Sequence, residues 1–559
     1  MSALQQTLPR LAPSSSPDAI TVEHLWKAFH DDRRRATVVA ISDVSITVPR
    51  GQFVCICGPS GCGKSTLIRI LAGLEEETIG NIGIEQRQDA SDRPPAMVFQ
   101  EASLFPWLTV EENVIFPLKL QGVPIEECRQ RARELLSLMQ LQDFAQAFPY
   151  QLSGGMKQRA SVARALIDRE SNILLMDEPF GALDEQTRME LQQELLRVWE
   201  RTGKTVVFIT HSVEEALTLG DRVIVMSARP GEIAADIAVP FARPRDVLEL
   251  RRLPEFGQMT FEIWKLLARY KADEERPAVD RTAIEPQPLP AKASPVSTET
   301  LETLARPPRS RKIIAWLGKF SPLTVLLLWE IVVKSGMADD RFFPAPSSIL
   351  SIFWEELVHG PLLADTYATL ARVLIGLLIG GVPAIALGLV LGLWSTAREI
   401  IAPIFTALYP VPKIATFPLL LMVFGLGEAP KYAVIAIVVF FLVFFNTLSG
   451  VRYAPKIYVD VAHNLGLSQF KLFRFVAFPA ALPSIFTGVK LAIGTAFVVI
   501  AAVEFVGAKT GLGYAIWSSW QIFAVEKMYV NIIAISLSGY LSILLLDRLE
   551  RLVMPWSGN

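Results

Sequence analysis

Charge is distributed unevenly along this 559-residue chain, and that unevenness restricts what its second half can fold into. Of the 54 basic and 56 acidic residues, only 31 in total fall within 311–559. Uncharged apolar stretches cover 373–397, 432–451 and 528–546, each near the ~20 residues that a helix needs to cross a bilayer. Three weaker stretches join them: 313–333 with Glu330, 400–427 with Lys413 and four prolines, and 482–506 with Lys490 and Glu504. Any one of these also reads as the buried helix of a soluble core. Six in series read as membrane spans, because hydrocarbon offers a backbone no partners and leaves it the helix. If the spans alternate, Arg398, Arg452, Lys456, Lys471 and Arg474 share a side with Arg311 and Arg548, and this richer side is cytoplasmic. The opening residues 1–19 lack an apolar core and read as a disordered tail, not a signal peptide.

The first half carries chemistry. Residues 58–66 read GPSGCGKST directly after the apolar, strand-like run 53–57. Gly58, Pro59, Ser60, Gly61, Cys62 and Gly63 form a loop whose backbone N–H groups converge on phosphate. Lys64 brings charge to the outer phosphate oxygens, and Ser65 with Thr66 opens a helix. A second buried-strand run, 171–178, ends in Asp177 and Glu178, the pair needed to hold a metal-bound water and polarise the attacking one. Residues 152–159, LSGGMKQR, place Ser153, Gly154 and Gly155 at a helix start, a further place that favours phosphate. Gln100 ends one strand-like run, and His211 follows another, within reach of a γ-phosphate.

In this order these motifs resemble the ATPase domain of ABC transporters, over roughly 20–250. The resemblance implies ATP and Mg²⁺ as cofactors, with Lys64, Glu178 and His211 catalytic and Ser65, Gln100 and Asp177 at the metal. It also implies that Ser153 to Gly155 close over the nucleotide of a second subunit. Phe29 matches the family's adenine-stacking position; by itself an aromatic at a strand end is more often core, and only its place in the family pattern reverses that.

The loop from 452 to 479 resembles the coupling segment of ABC importer permeases, with Asp460, Ala462 and Gly466 in the contact positions. The E-A-A pattern is met only in part, since Asp460 and Val461 stand for its first two letters. Phe343 to Pro346, Phe424 to Gly427 and Gly511 to Tyr514 are similar to the nitrate, sulfonate and taurine group of importers. That group commonly keeps ATPase and permease on separate chains, whereas here they are joined.

The expected architecture is an α/β P-loop ATPase domain of the ABC type over 20–269, a Pro- and Ser-rich tether over 270–310, and an all-α transmembrane domain of about six helices over 311–559. The resemblance implies a homodimer in the inner membrane, an ATPase domain in the cytoplasm, a separate extracytoplasmic binding protein, and no nucleic-acid partner. The expected function is ATP-driven import of a small anion such as nitrate, bicarbonate, taurine or another sulfonate. A neutral or vitamin-precursor solute is the alternative; export, lipid flipping and a non-transport ATPase are further ones. Lys413 has two readings: a charge lining a substrate cavity beside a broken helix, or a side chain snorkelling from an interface. Glu504 likewise reads as part of that path or as a structural partner. The cysteines, Cys55, Cys57, Cys62 and Cys128, lack paired metal spacing and are expected as reduced thiols.

Overall fold

The computed structural model describes residues 18–31, 36–85, 94–168, 171–181, 183–274 and 323–557. The tail, most of the tether and the start of the 313–333 stretch lie outside the described residues. The described chain divides into two compact units. One holds 18–274, Ala454–Pro479 and the last few residues; the other holds 323–453 and Ala480–Met554.

The first unit is built on a six-stranded sheet with strands β3 (Phe53–Cys57), β5 (Ala96–Val98), β6 (Ile173–Asp177), β7 (Thr205–Ile209), β8 (Arg222–Met226) and β9 (Ile233–Ala238). Its order is β5-β6-β7-β3-β8-β9. All neighbours are parallel except β8 and β9. β3, β6, β7 and β8 are buried at every residue, as their unbroken apolar runs require once helices cover both faces. A smaller antiparallel sheet joins β1 (Asp18–Asp31) to β2 (Ala36–Pro49) and β4 (Ile79–Ile84). Helix α1 (Lys64–Leu71) follows β3, so the C-terminal edge of the parallel sheet carries the loop 58–63, and the ends of β6 and β7 lie at that same edge. All four cysteines are free and buried; burial pushes the Cys57 thiol up to about 12.

The second unit is helical. Among the described residues, four helices are long and apolar enough to cross a membrane: Leu362–Leu393, Ala429–Arg452, Gln469–Gly507 and Val525–Val553. The stretch expected as one span over 400–427 is instead a pair, Ser395–Leu408 and Lys413–Phe424, bent by 83°. Its prolines explain the break, since each removes an N–H and blocks the preceding turn. Counted as one span, the pair brings the total to five. Residues 323–334 are helical, and Pro346–Val358 and Leu512–Gln521 are shorter helices that the apolar runs did not predict.

Helices Leu362–Leu393 and Ala429–Arg452 pack along a stripe of small residues. A Cβ added to Gly376 would lie 2.5 Å from Ile435 Cγ2, one at Gly380 2.2 Å from the Ala436 carbonyl, and one at Gly388 2.8 Å from Thr447 Cβ. Such a stripe lets two backbones approach where no hydrophobic effect drives them together.

Lys490 and Glu504, the charges of the 482–506 stretch, are paired. Lys490 meets Asp547 at 2.6 Å and also Glu550. Arg372 binds Glu504 at 2.7 Å, Glu428 at 2.6 Å and the Thr510 carbonyl at 2.7 Å. Glu504 is fully buried and also accepts from Thr369 and from the Gly513 N–H at 2.8 Å. This corrects the substrate-path reading of Glu504: its oxygens are consumed by a closed network, and within this chain it faces no accessible surface.

Candidate nucleotide site and coupling groove

Helix α1 opens with Lys64, preceded by Gly63 at φ 97°, a left-handed turn that a side chain would strain. Lys64 is buried, and its Nζ donates to the Gly58 carbonyl at 2.8 Å and to Pro59 at 2.9 Å, which holds the loop curled around it. One helical position on, Ser65 Oγ donates to Asp177 Oδ1 at 3.1 Å. Asp177 ends β6 in a buried place, and burial raises its carboxyl to about 6 against the opposing Ser65 hydrogen bond.

Glu178 follows with φ 46°, a strained conformation for a residue with a side chain; its N–H is fixed to the Ile209 carbonyl at 3.0 Å. That twist turns its carboxylate toward the two flanking groups. Gln100 Nε2 donates to Glu178 Oε2 at 3.3 Å, and His211 Nδ1 lies 3.3 Å from the same oxygen. Three elements far apart in sequence thus meet at one carboxylate.

A cleft of about 530 Å³ opens over this group, large enough for a nucleotide. It is lined by Ser60, Gly61 and Gly63 to Thr66 of the phosphate loop and helix start, by Gln100, Glu178 and His211, and by Phe29, Val38 and Ala40. Phe29 is 41% exposed, so it is a wall residue rather than core. Cys62 is buried beneath the loop. Val38, Ala40 and Arg229 also line the cleft; no motif in the sequence pointed to them.

Ser153, Gly154 and Gly155 are not in this cleft. Ser153 caps the helix Gly154–Leu166, its Oγ accepting from the Met156 N–H at 3.3 Å, and the Gly154 end of the helix is exposed.

The segment Ala454–Pro479, which the sequence assigns to the transmembrane domain, belongs to the first unit. Its helix Lys456–Asn464 buries Val461 and Ala462 in the same apolar core as Ile68 and Phe99. Asp460 pairs with Arg69 at 3.0 Å, and Asn464 Nδ2 donates to the Pro95 carbonyl at 2.9 Å, just before β5. Tyr458 lies 5.6 Å, centroid to centroid, from Trp107, whose indole N–H donates to the Phe475 carbonyl at 3.0 Å. Gly466, at φ 68°, turns the chain back after the helix. Arg69 and Lys64 stand on the same helix α1, about 7.5 Å apart along its axis.

In the second unit, Lys413 begins a short turn, Lys413–Thr416, at the bend between the paired helices. Its Nζ lies 4.6 Å from the Phe441 ring centre and 5.1 Å from that of Tyr409, and donates to the Leu408 carbonyl at 3.3 Å.

Two protein families match the chain: the ABC transporter family over residues 41–181, and the binding-protein-dependent transport system inner membrane component over residues 384–555. The taurine import ATP-binding protein of Rhizobium johnstonii is 46% identical over 255 residues, covering 44% of this chain and 96% of that one. The nitrate import ATP-binding protein of Synechocystis is 42% identical over 252 residues, covering 44% and 94%. An uncharacterised ABC transporter ATP-binding protein of Methanocaldococcus jannaschii is 46% identical over 230 residues, covering 41% and 84%. With the phosphate loop, the paired carboxylates and a helical membrane half on one polypeptide, the chain belongs to the ABC transporter family, its ATP-binding ATPase domain preceding its permease domain.

Proposed function

We propose that the chain is an ATP-driven importer of a small anionic solute, working as a homodimer in the inner membrane with a separate extracytoplasmic binding protein. The observation that carries this reading is the segment Ala454–Pro479: it follows the bilayer-length helix Ala429–Arg452 and includes the first turns of Gln469–Gly507, yet is folded into the ATPase unit. A permease loop held there moves when the ATPase moves.

In this reading Phe29 stacks on adenine, the backbone of 58–66 and Lys64 hold the phosphates, and Glu178 orients the attacking water and accepts its proton. His211 fixes the Glu178 carboxylate and reaches the γ-phosphate. A hydroxyl, a carboxylate and an amide oxygen from Ser65, Asp177 and Gln100 suit Mg²⁺, which prefers few protein oxygens beside phosphate. When bound it neutralises charge on the β- and γ-oxygens. Ser153 to Gly155, exposed and away from the cleft of their own chain, serve the partner's nucleotide. ATP favours the closed dimer, and hydrolysis releases it.

The anionic class rests on the names of relatives that import taurine, nitrate and aliphatic sulfonates, and on Lys413 at an irregular, exposed bend of a membrane segment. The test is ATPase stimulation in lipid nanodiscs by the binding protein loaded with taurine, nitrate, bicarbonate or a neutral solute. Anion-loaded protein should stimulate the parent several-fold, and Lys413→Ala should respond less while keeping its basal rate. Stimulation by the neutral solute alone, or an unchanged Lys413→Ala response, would reject the anionic class.

A further inference from the structure

We infer that Arg229 is a second cationic ligand for the nucleotide's phosphate chain, placed beside the backbone cradle at Gly61; this rests on the nucleotide-site reading above. The loop that carries Arg229 is built against the phosphate loop. After β8, the Gly231 N–H donates to the Ala40 carbonyl at 3.0 Å, and the Ser42 N–H donates to the Gly231 carbonyl at 3.0 Å, which straps the turn to β2. Ser227 closes the same turn, its Oγ accepting from the Glu232 N–H at 3.0 Å. A Cβ placed on Gly231 would lie 1.9 Å from the Cys62 carbonyl, so the strap and the phosphate loop touch backbone to backbone. No side chain fits between them.

This backbone contact fixes where Arg229 starts. Its Nη2 lies 3.9 Å from the position that a Cβ on Gly61 would take, and the residue lines the cleft with Phe29 and Ser60. The guanidinium is exposed and has no acidic partner among the described residues. Neighbouring arginines differ: Arg222 is paired with Asp236, and Arg243 with Asp221 at 2.8 Å. A fork of N–H donors left unpaired beside Lys64, on the rim of a loop shaped for anions, completes its hydrogen bonds when phosphate arrives, and its planar geometry suits two phosphate oxygens at once. Lys64 contributes from within the loop and Arg229 from outside it.

The experiment titrates the purified full chain with ATP, ADP and AMP in EDTA, where no turnover occurs. Arg229→Ala should bind ATP about tenfold more weakly, the size expected for one lost charge-assisted contact, with a smaller loss for ADP and none for AMP. Arg229→Lys should recover part of the loss, and the melting temperature of the nucleotide-free protein should stay unchanged. An ATP affinity within twofold of the parent overturns the assignment. So does an equal loss for all three nucleotides, which would place the contact on base or ribose, or a loss accompanied by a lowered nucleotide-free melting temperature that Arg229→Lys fails to restore. A parent chain that binds no ATP would instead defeat the nucleotide-site reading itself.

Discussion

Asp177 sits where burial and metal binding pull in opposite directions. Its carboxyl, raised to about 6, is partly protonated in mildly acidic solution, yet only the carboxylate serves a cation. ATP hydrolysis at limiting Mg²⁺ should therefore fall as pH drops through about 6, and excess Mg²⁺ should move that limb to lower pH. The stability effect has the opposite sign. Because the folded value lies above the ordinary 3.8, ionised Asp177 weighs against the nucleotide-free fold above pH 6, and that penalty fades as pH falls toward 4. A pH–rate profile at two Mg²⁺ concentrations checks this, and an acid limb that ignores Mg²⁺ would remove Asp177 from the metal. At the adjacent position, Glu178→Gln should keep ATP binding but lose about 10²–10⁴-fold in hydrolysis, because an amide cannot accept the proton.

Helix α1 ties the nucleotide to the permease loop. Lys64 and Ser65 occupy its first turn and Arg69 the last, where it meets Asp460 at 3.0 Å, so a rigid element of eight residues joins the two contacts. Asp460→Arg should cost the docked loop about 2 kcal/mol by setting two half-buried cations face to face. Transport should fall more than ATPase. The swap Arg69→Asp with Asp460→Arg should restore much of the coupling; uptake that stays lost in the double variant would mean that this pair does not transmit the motion.

The same elements show what could be read before the structure was known. The phosphate loop and the paired carboxylates were legible because their chemistry admits few alternatives at each position. The docked helix was legible through Asp460, Ala462 and Gly466, but not its membership in the ATPase unit, since Tyr458 with Trp107 and Asn464 with Pro95 are pairings between distant segments. Glu504 misled because a charge in an apolar run looks functional until its partner, Arg372, is seen 132 residues away. The stripe through Gly376, Gly380, Ala384 and Gly388 was present in the sequence as small residues every fourth position, and apolar averaging concealed it.

As a whole, the proposed reading makes the molecule a half that needs another half. The cleft of one chain is lined by Lys64, Gln100, Glu178 and His211 but not by Ser153 to Gly155. Dimers that pair a Lys64→Ala chain with a Ser153→Arg chain should occlude one ATP, because both lesions fall in one composite site and leave the other intact. If each chain served its own nucleotide, both sites would be damaged and none would be occluded. A mixed dimer that traps no ATP, while parent dimers do, would refute the shared site.

Proteoliposomes containing this chain, with ATP inside and a solute-loaded binding protein outside, join the ATPase, the loop and the membrane helices in one observable. Only molecules whose ATPase unit faces the lumen meet both ligands, and these should accumulate a radiolabelled solute in the lumen. The predicted result is accumulation of taurine, nitrate, bicarbonate or another sulfonate in the lumen that requires lumenal ATP and external binding protein, depends on hydrolysis and is lost in Glu178→Gln. Solute that moves toward the binding protein's side, or that crosses equally well with Glu178→Gln, would contradict ATP-driven import.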